Sequence, residues 1–454
     1  MVYDAAGRQI ASQSPMGFIS TTIYDNAGQV TASQDALGQR TSYTYDARGS
    51  QAGMQDANGN RTTSVYDALG RTQSSVDALN FRTTYTYDAI SRQTVRQDAL
   101  ANLITMSYDA NSRMTAISNE ISKVTTTSYD AAGRVIQKQQ PSGLVTTYSY
   151  DAINEQTGIL YKDGTRVTYA YDAIGLTTSG ANNTGTTTYA YDRVGQMLGK
   201  TDPGTLVQAY TYDGVGQRLT LKDPDGGIRT FTYDALGRKT LFRDPDNKFT
   251  TFQYDADSRE TTMLFHSGMK RARTYDAIGR ATKLQDLNPS SANLQMLTYT
   301  FDSVGNPTQI LDSSGDLNKF GYDNKYRLTS ANFTPVTNKF YTYTYDAVDN
   351  RTFSSEDGPS TFTYNSAGQI TVSNLLGVLS TYTYDSDGNN TVVRTANTFV
   401  TMTYDQENRM TTHKAGATFN TFTYQPDNMK RTEKLGATTT TLIWDGSDYL
   451  QGRS

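Results

Sequence analysis

RTTSVYDALGRTQSSVDALNFRTTYTYD, the stretch from Arg61 to Asp88, contains the unit that decides the fold. A Thr-rich run leads to Tyr-Asp-Ala-x-Gly-Arg, a Thr/Ser/Gln run leads to Asp-Ala, and a second Thr-rich run leads back to Tyr-x-Tyr-Asp. The Tyr-Asp pair recurs along the whole chain, in twenty-two copies when the variants Phe301-Asp302, Tyr364-Asn365, Tyr424-Gln425 and Trp444-Asp445 are included. Self-similarity at a fixed period indicates a repeat architecture that grows as one continuous array.

The period of the repeat changes towards the C-terminus. Tyr-Asp pairs are 21 residues apart for eight consecutive steps from Tyr3 to Tyr171, and 19–20 residues apart after Tyr345. We therefore predict an array in two parts, residues 1–345 with units of about 21 residues and residues 346–454 as a C-terminal subtype with units of about 20. In the second part the second turn of each unit shortens to pairs that predict two-residue hairpins: Asp357-Gly358, Leu376-Gly377, Ala415-Gly416 and Leu435-Gly436.

Each unit contains two turn signals, which we name the YD turn, at the Tyr-Asp pair, and the second turn, about eleven residues after that Tyr. Asp at the first position of a type I turn accepts hydrogen bonds from the N–H groups ahead of it, and Gly at the fourth takes the left-handed conformation that follows. This is a common hairpin connection, so each repeat is predicted to be two antiparallel strands of about 6–8 residues. The second-turn aspartates are Asp35, Asp56, Asp77, Asp98, Asp202, Asp223, Asp244, Asp286 and Asp312.

Alternation along the strands predicts one aromatic face and one polar face. Tyr85 and Tyr87 share a face of their strand, whereas Thr84 and Thr86 lie on the other. Equivalent tyrosines are two strands apart, about 9.6 Å, so we expect each ring to lie over β-branched residues of the intervening strand. About 44 strands exceed what an open sheet carries without curling. We therefore predict an all-β array of antiparallel hairpins that spirals into an open or hollow β-shell.

The repeat motif itself is interpreted as turn and packing chemistry, because chemistry at a single site does not need so many copies. We expect no catalytic, cofactor or metal residue in it, and no enzymatic activity. The residues chosen to represent the motif are Tyr45, Asp46, Tyr66, Asp67, Gly70, Arg71, Tyr87, Asp88, Tyr129, Asp130, Gly133, Arg134, Tyr233, Asp234, Gly237 and Arg238.

Other candidate site residues also have structural interpretations. His266 and His413 are the only histidines, and both are expected on the surface near turns. The run Asp385–Asn390 is the closest approach to a calcium loop, but it lacks the Gly position and the distal Glu of an EF-hand, so turn capping is expected. Tyrosine rows could stack on sugars, although alternation with Thr is what sheet packing requires.

Composition excludes several classes of protein. The net charge is -4 with no basic patch, so no nucleic-acid partner is expected. The chain has no cysteine and therefore no disulfide or thiolate chemistry. No run approaches the ~18 apolar residues of a membrane span, and the N-terminus has no signal-peptide pattern.

The repeated Tyr-Asp-Ala-x-Gly-Arg motif resembles the YD repeat of the RHS-repeat family, which includes bacterial Rhs toxins, Tc-toxin cocoon subunits and the YD-shell of teneurins. The resemblance covers essentially the whole chain. It implies a hollow β-strand shell, an extracellular or cell-surface location, and as partner either an effector or toxin domain encoded downstream or a surface glycan or protein.

The chain also departs from that family in two respects, the first being that its array is shorter than complete shells. It lacks the family's Asp-based self-cleavage segment, and Asp223-Pro224-Asp225-Gly226 is only a turn within the array. The first function hypothesis is therefore a non-enzymatic structural shell segment without its effector. The alternatives are a cell-surface adhesin or carbohydrate-binding module, and a fragment of a larger RHS protein without independent function.

Overall fold

The computed structural model describes residues 1–334 and 339–453. These residues form 44 strands and no helix. The strands of the first half are β1 (Val2–Tyr3), β2 (Gln9–Gln13), β3 (Ile19–Tyr24), β4 (Val30–Gln34), β5 (Arg40–Tyr45), β6 (Gln51–Gln55), β7 (Arg61–Tyr66), β8 (Thr72–Val76), β9 (Arg82–Tyr87), β10 (Gln93–Gln97), β11 (Leu103–Tyr108), β12 (Met114–Ser118), β13 (Val124–Tyr129), β14 (Val135–Gln139), β15 (Val145–Tyr150), β16 (Gln156–Tyr161), β17 (Arg166–Tyr171), β18 (Thr177–Asn182), β19 (Gly185–Tyr191), β20 (Met197–Asp202), β21 (Leu206–Tyr212) and β22 (Arg218–Lys222).

The strands of the second half are β23 (Ile228–Tyr233), β24 (Lys239–Arg243), β25 (Phe249–Tyr254), β26 (Glu260–Phe265), β27 (Lys270–Tyr275), β28 (Ala281–Leu287), β29 (Asn293–Phe301), β30 (Pro307–Asp312), β31 (Leu317–Tyr322), β32 (Leu328–Thr334), β33 (Lys339–Tyr345), β34 (Arg351–Ser354), β35 (Ser360–Tyr364), β36 (Ile370–Leu375), β37 (Val378–Tyr384), β38 (Asn390–Thr395), β39 (Phe399–Tyr404), β40 (Met410–Ala415), β41 (Thr418–Tyr424), β42 (Lys430–Leu435), β43 (Thr438–Asp445) and β44 (Asp448–Arg453).

Antiparallel pairing joins each strand to its neighbour in the chain, as β7 shows. Thr63 lies opposite Gly53 of β6 on one side and opposite Val76 of β8 on the other. The register shifts between Val65 and Tyr66, where the YD turn inserts a bulge. All 44 strands belong to one sheet. The predicted all-β array of antiparallel hairpins is thus confirmed.

The chain divides into two compact units. Unit 1 comprises Met1–Ser91, Arg96–Ala101 and Arg229–Pro359, and unit 2 comprises Arg92–Val95, Asn102–Ile228 and Ser360–Ser454. Each unit therefore combines an early and a late part of the array. The division predicted at residue 346 rests on repeat length, a different criterion, and stays a prediction.

Few side chains of either unit are fully buried. In unit 1 they include Ala32 and Ala331, and in unit 2 they include Leu221 and Ile443. Alternation along the strands follows the predicted pattern only in part, since Thr86 is exposed, whereas Thr84 is half-buried like Tyr85 and Tyr87 of the same strand. The array therefore packs as a sheet with thin apolar contacts and not as a solid core.

Two of the nine second-turn aspartates are not in turns. Asp202 ends β20 and is buried, because the turn has moved to Pro203–Thr205, where Gly204 and Thr205 both have positive φ. Asp286 lies inside β28 and forms a bidentate ion pair with Arg271, at 2.8 and 2.9 Å. The predicted turn role of these two residues was wrong, since a longer strand displaced each turn towards the C-terminus.

Of the four two-residue hairpins predicted after residue 346, one is found at the predicted residues and two are shifted by one residue. Leu376-Gly377 is a two-residue turn, with Leu375 opposite Val378. The other two lie one residue later than predicted, at Gly416–Ala417 and Gly436–Ala437. Asp357-Gly358 is not such a turn, because β34 ends at Ser354 and β35 begins only at Ser360.

Candidate functional site

The YD turn is a type I turn closed by a glycine bulge. The Asp67 carboxylate accepts hydrogen bonds from the N–H groups of Leu69 and Arg71 through Oδ1, at 2.9 and 3.0 Å. The Gly70 N–H donates to the Asp67 carbonyl at 3.0 Å, and Gly70 has φ +78°. These bonds satisfy the turn backbone, and only glycine takes this φ without strain.

Arginine connects each YD turn to the next one along the sheet, as Arg71 illustrates. Its Nε donates to Asp67 of its own turn at 2.7 Å, and its Nη1 donates to the carbonyl of Asp88 in the next turn at 3.2 Å. The guanidinium carbon lies 4.6 Å from the centre of the Tyr87 ring, and the Tyr87 hydroxyl donates to the Thr72 carbonyl at 2.8 Å. We name this set of contacts the Arg–Tyr staple. It supplies charge-assisted hydrogen bonds and a cation–π contact between consecutive repeats.

The Arg–Tyr staple recurs wherever the motif is complete. Arg134 lies over Tyr150 at 4.8 Å and Arg238 lies over Tyr254 at 4.8 Å. Further instances pair Arg8 with Tyr24, Arg92 with Tyr108, Arg113 with Tyr129, Arg259 with Tyr275, Arg280 with Phe301, Arg327 with Tyr345 and Arg409 with Tyr424. We predicted from the sequence that these rings pack on β-branched residues, and we did not predict the guanidinium groups that cover them.

The predicted motif residues all lie in turns and in contacts between neighbouring repeats. Their tyrosine hydroxyls reach carbonyls of the preceding repeat, such as Val30 for Tyr45, Gln51 for Tyr66 and Met114 for Tyr129. The structure brings no two distant copies together as a site. Turn aspartates that accept from the N–H groups ahead of them are Asp46, Asp67, Asp88, Asp130 and Asp234, and glycines with positive φ are Gly70, Gly133 and Gly237.

The electrostatics of the staple follow from its hydrogen bonds. The Arg71 side chain, with the turn N–H groups, holds the pKa of Asp67 below its ordinary value. Arg134 does the same to the pKa of Asp130. Burial raises the pKa of the Tyr87 hydroxyl. The turn aspartates are therefore ionised at neutral pH and paired with the arginines of their own turns.

A second kind of contact links residues about 245 positions apart within each unit. In unit 1, Asp257 accepts from the Met16 N–H at 2.9 Å, and Lys325 lies 2.9 Å from Asp77. In unit 2, Asp387 accepts from the Ser142 N–H at 2.9 Å. In each case the contact is made by the third residue of a YD turn from the late part of the chain, counted from the aspartate of its Tyr-Asp pair. Its partner is a second turn from the early part of the chain. We name this the tier contact, because it places the late hairpins of a unit against the early ones.

The tier contact of unit 2 contains a cluster of buried charges. Lys200 and Asp202 are 5% and 1% exposed, and the Lys200 ammonium lies 3.3 Å from Asp202 and 3.5 Å from Asp427. Arg431 is also buried, and its guanidinium donates to the Pro203 carbonyl. Burial lowers the pKa of Arg431. Removal of one partner from such a cluster leaves an uncompensated charge.

A polar cavity of about 310 Å³ lies in unit 2. Its wall includes Tyr161, Asn183 and the turn from Asp405 to Arg409. Burial, with the nearby Glu407 carboxylate, raises the pKa of Tyr161. Arg409 pairs with Glu407 at 2.5 Å and with Asp405 at 2.7 Å, so neither carboxylate is left as a free base. The cavity has the size and polarity to hold water or a small polar molecule.

The remaining candidate residues have structural roles. His266 is an exposed turn residue whose ring packs on Phe249 at 4.9 Å. His413 is not a turn residue, since it lies half-buried in β40. The expected turn capping by Asp385 is confirmed, because its carboxylate accepts from the N–H groups of Asp387 and Asn389.

Residues 1–334 and 339–453 contain no group of three or more His, Cys, Asp or Glu side chains placed so that it could hold a metal ion. Across the same described ranges, no helix has the length and apolar character needed to cross a membrane.

Comparison with known proteins identifies the repeat. The sequence profile described as RHS Repeat matches residues 24–62, 66–102, 129–166, 191–228 and 212–241. No curated protein matches the sequence.

Among solved structures, the fold resembles parts of larger proteins. The crystal structure of TcdB2-TccC3-Cdc42 has a TM-score of 0.74 and 16% identity over 97% of this chain, and that of TcdB2-TccC3 without its hypervariable C-terminal region has a TM-score of 0.75 and 15% identity over 98%. The Tc holotoxin pore of Photorhabdus luminescens has a TM-score of 0.65 and 15% identity over 95%. This chain spans 29% of the length of each of these chains.

Proposed function

We propose that the chain, whose repeats match the RHS Repeat profile, forms part of the wall of a hollow β-shell, without catalysis of its own, in a secreted or cell-surface protein of the RHS-repeat family. The partner of such a wall is an effector or toxin domain held within the shell. The observation that carries this proposal is the Arg–Tyr staple. It joins one hairpin to the next along the sheet, as Arg71 joins its own turn to Tyr87 and Asp88.

The burial pattern supports a wall with water on both sides. Thr86, on the face opposite Tyr85 and Tyr87, is exposed, and those tyrosines are only half-buried. Fully buried apolar side chains are few for 454 residues. A solid β-sandwich needs large apolar side chains on its inner faces, whereas a wall needs only strong contacts along the sheet.

The fold comparison supports the same proposal. The likeness covers 97% of this chain but 29% of the TcdB2-TccC3-Cdc42 chain, so the chain corresponds to one part of a much larger protein. The wall is therefore proposed to act together with further segments, and its cargo to be a separate domain.

Small-angle X-ray scattering of the purified chain tests the proposal. A compact protein of 454 residues has a radius of gyration of roughly 22 Å. A curved wall enclosing solvent should give a clearly larger radius and an excluded volume above that of its mass. A radius near 22 Å with a solid interior would reject the wall.

Carbohydrate binding by the tyrosine rows is the alternative function, and the staple argues against it. One face of rings such as Tyr87 and Tyr150 is occupied by a guanidinium group, and their hydroxyls are bonded to backbone carbonyls. Sugar stacking requires a free ring face. A glycan array should therefore show no saturable binding; binding that is lost on Tyr→Ala substitution along one row would favour the adhesin.

A further inference from the structure

One edge of the early hairpins in unit 2 carries a row of exposed aliphatic side chains. Ile153, Ile174, Val194 and Val215 are the third residues of four consecutive YD turns, and they are between 67% and 81% exposed. We name them the aliphatic row. Consecutive YD turns are two strands apart, so the row presents one apolar group about every 9.6 Å.

Folding of the turn does not explain this choice of residue. Asn111 occupies the same position in a neighbouring turn of unit 2, with the same hydrogen bonds to its aspartate. In the late hairpins of the unit the position is acidic at Asp387, Glu407 and Asp427, and Asp387 and Asp427 use it in the tier contact. Within unit 2, acidic residues thus occupy this position in covered turns and aliphatic residues occupy it in uncovered ones, and an exposed apolar row marks an interaction surface.

The opposite edge of unit 2 is also apolar. Leu376 in a second turn of the late hairpins, and Phe399, Phe419 and Leu435 in the strands that flank such turns, are between 48% and 67% exposed. Phe399 and Ala415 line a groove of about 520 Å³ at this edge. We name these side chains the apolar second turns.

Leu376 is informative because its backbone is strained. It has φ +50° in a two-residue hairpin, a position at which Asn is favoured and a branched aliphatic residue is not. Its side chain is 67% exposed, so contacts within the chain do not offset the backbone strain. Strained residues that persist without an internal partner point to a role at the surface.

We propose that the aliphatic row of one copy packs on the apolar second turns of a second copy, so that the chain self-associates head to tail. Both edges present side chains at the spacing of two strands, so their registers match. The tier contact is the precedent within one chain, because there too YD turns such as that of Asp387 lie on second turns such as that of Ser142. Two different edges meet, so the contact is heterologous and leaves one free edge at each end.

Sedimentation velocity of the full chain between about 0.1 and 50 µM tests the proposal. The row variant, Ile174→Asn with Val194→Asn, copies the native Asn111 turn. The second-turn variant, Leu376→Asn with Phe419→Thr, places a residue suited to positive φ in the hairpin and a strand-forming residue in β41. Both should keep the circular dichroism of the unchanged chain. Val207→Thr, which alters an exposed aliphatic residue outside both surfaces, is the matched control.

The unchanged chain and the control should form dimers and longer species as concentration rises, whereas each variant alone should remain monomeric, with association weakened at least tenfold. A mixture of the two variants should give a dimer that does not grow, because each retains one complementary edge. The proposal is overturned if the unchanged chain is monomeric throughout, which would assign the row to a different partner. It is equally overturned if the variants assemble normally, or if their mixture gives no dimer.

Discussion

Ile174 and Asp387 occupy the same position of the same turn in unit 2, and their surroundings differ completely. Ile174 is 70% exposed, whereas Asp387 accepts hydrogen bonds from the Ser142 N–H and hydroxyl. The turn backbone is the same in both, since Asp172 and Asp385 each accept from the N–H groups two and four residues ahead. Local structure is therefore constant along the array, and in unit 2 the third residue of these two YD turns distinguishes the covered edge from the uncovered one.

The largest effect is expected where the covered edge is most deeply buried. Lys200→Met should destabilise unit 2 by about 3 kcal/mol, because it leaves Asp202 and Asp427 without their cation. Urea unfolding monitored by fluorescence measures the change. Lys248→Met removes an exposed partner of Asp246 and should cost less than about 0.5 kcal/mol. Equal losses in both variants would contradict the difference between buried and exposed charges.

Disruption of an Arg–Tyr staple should have a smaller and more local effect. Arg71→Ala is expected to cost about 1–2 kcal/mol, since it removes charge-assisted hydrogen bonds and a cation–π contact. Arg71→Lys should recover less than half of this, because an ammonium cannot reproduce the planar fork. Hydrogen exchange should show the loss in the repeats that contain Arg71 and Tyr87, with Arg40→Ala as an exposed control. A uniform loss along the whole array would be inconsistent with coupling between neighbours.

Glycine substitutions separate turn geometry from packing. Gly70→Ala should cost about 1 kcal/mol through its φ of +78° alone, since an added Cβ meets nothing within 4 Å. Gly214→Ala lies in another YD turn, also in open space but without a positive φ, and should be neutral or stabilising by up to about 1 kcal/mol. Thermal unfolding of the pair measures the difference. Similar costs at both positions would show that turn conformation is not the controlling factor.

The smallest effect is expected from pH at the tier contact of unit 1. Burial opposes ionisation of Asp77, but Lys325 and the turn N–H groups together hold its pKa below the ordinary 3.8. The ionised carboxylate thus stabilises the fold above about pH 4, and this contribution is lost as pH falls through the lower folded value. Asp77→Asn should lower stability at pH 6 by less than about 1 kcal/mol and flatten its acid dependence. Asp246→Asn is the exposed control. If the free energy of unfolding of Asp77→Asn falls with decreasing pH as steeply as that of the unchanged chain, the Asp77–Lys325 contact does not stabilise the fold.

Turn chemistry was predictable from the sequence because it is local. Asp67 and Gly70 are three residues apart and make the predicted bonds. The staple was missed because Arg71 and Tyr87 become neighbours only through hairpin register, and a spacing of 16 residues has no meaning without that register. The signal was nonetheless present, since Arg follows Gly in five copies, and the next copy begins with Tyr in four of them and with Phe301 in the fifth.

The tier contacts could not be predicted from composition or period. Lys200 and Asp427 are 227 residues apart, half the length of the chain, and nothing local to either residue indicates the other. Asp202 even matches the turn pattern, and only a displaced hairpin shows that it is buried. One usable signal was overlooked: the third residue of the YD turn is aliphatic at Val215 and Leu236, and first becomes acidic at Asp257, where the tier contact begins.

A cross-link between the early and late hairpins of unit 2 tests the central claim most directly. The chain has no native cysteine, so only the introduced thiols can react. In Ser142→Cys with Asp387→Cys, mild oxidation or a short bis-thiol reagent should join the two turns within one monomer, seen as a mobility shift on a denaturing gel that reductant reverses. Ser142→Cys with Ile174→Cys, which places the second thiol on the uncovered edge, should give no such product. Failure of the first pair to cross-link within the monomer, or equal cross-linking in both pairs, would contradict the distinction between covered and uncovered YD turns.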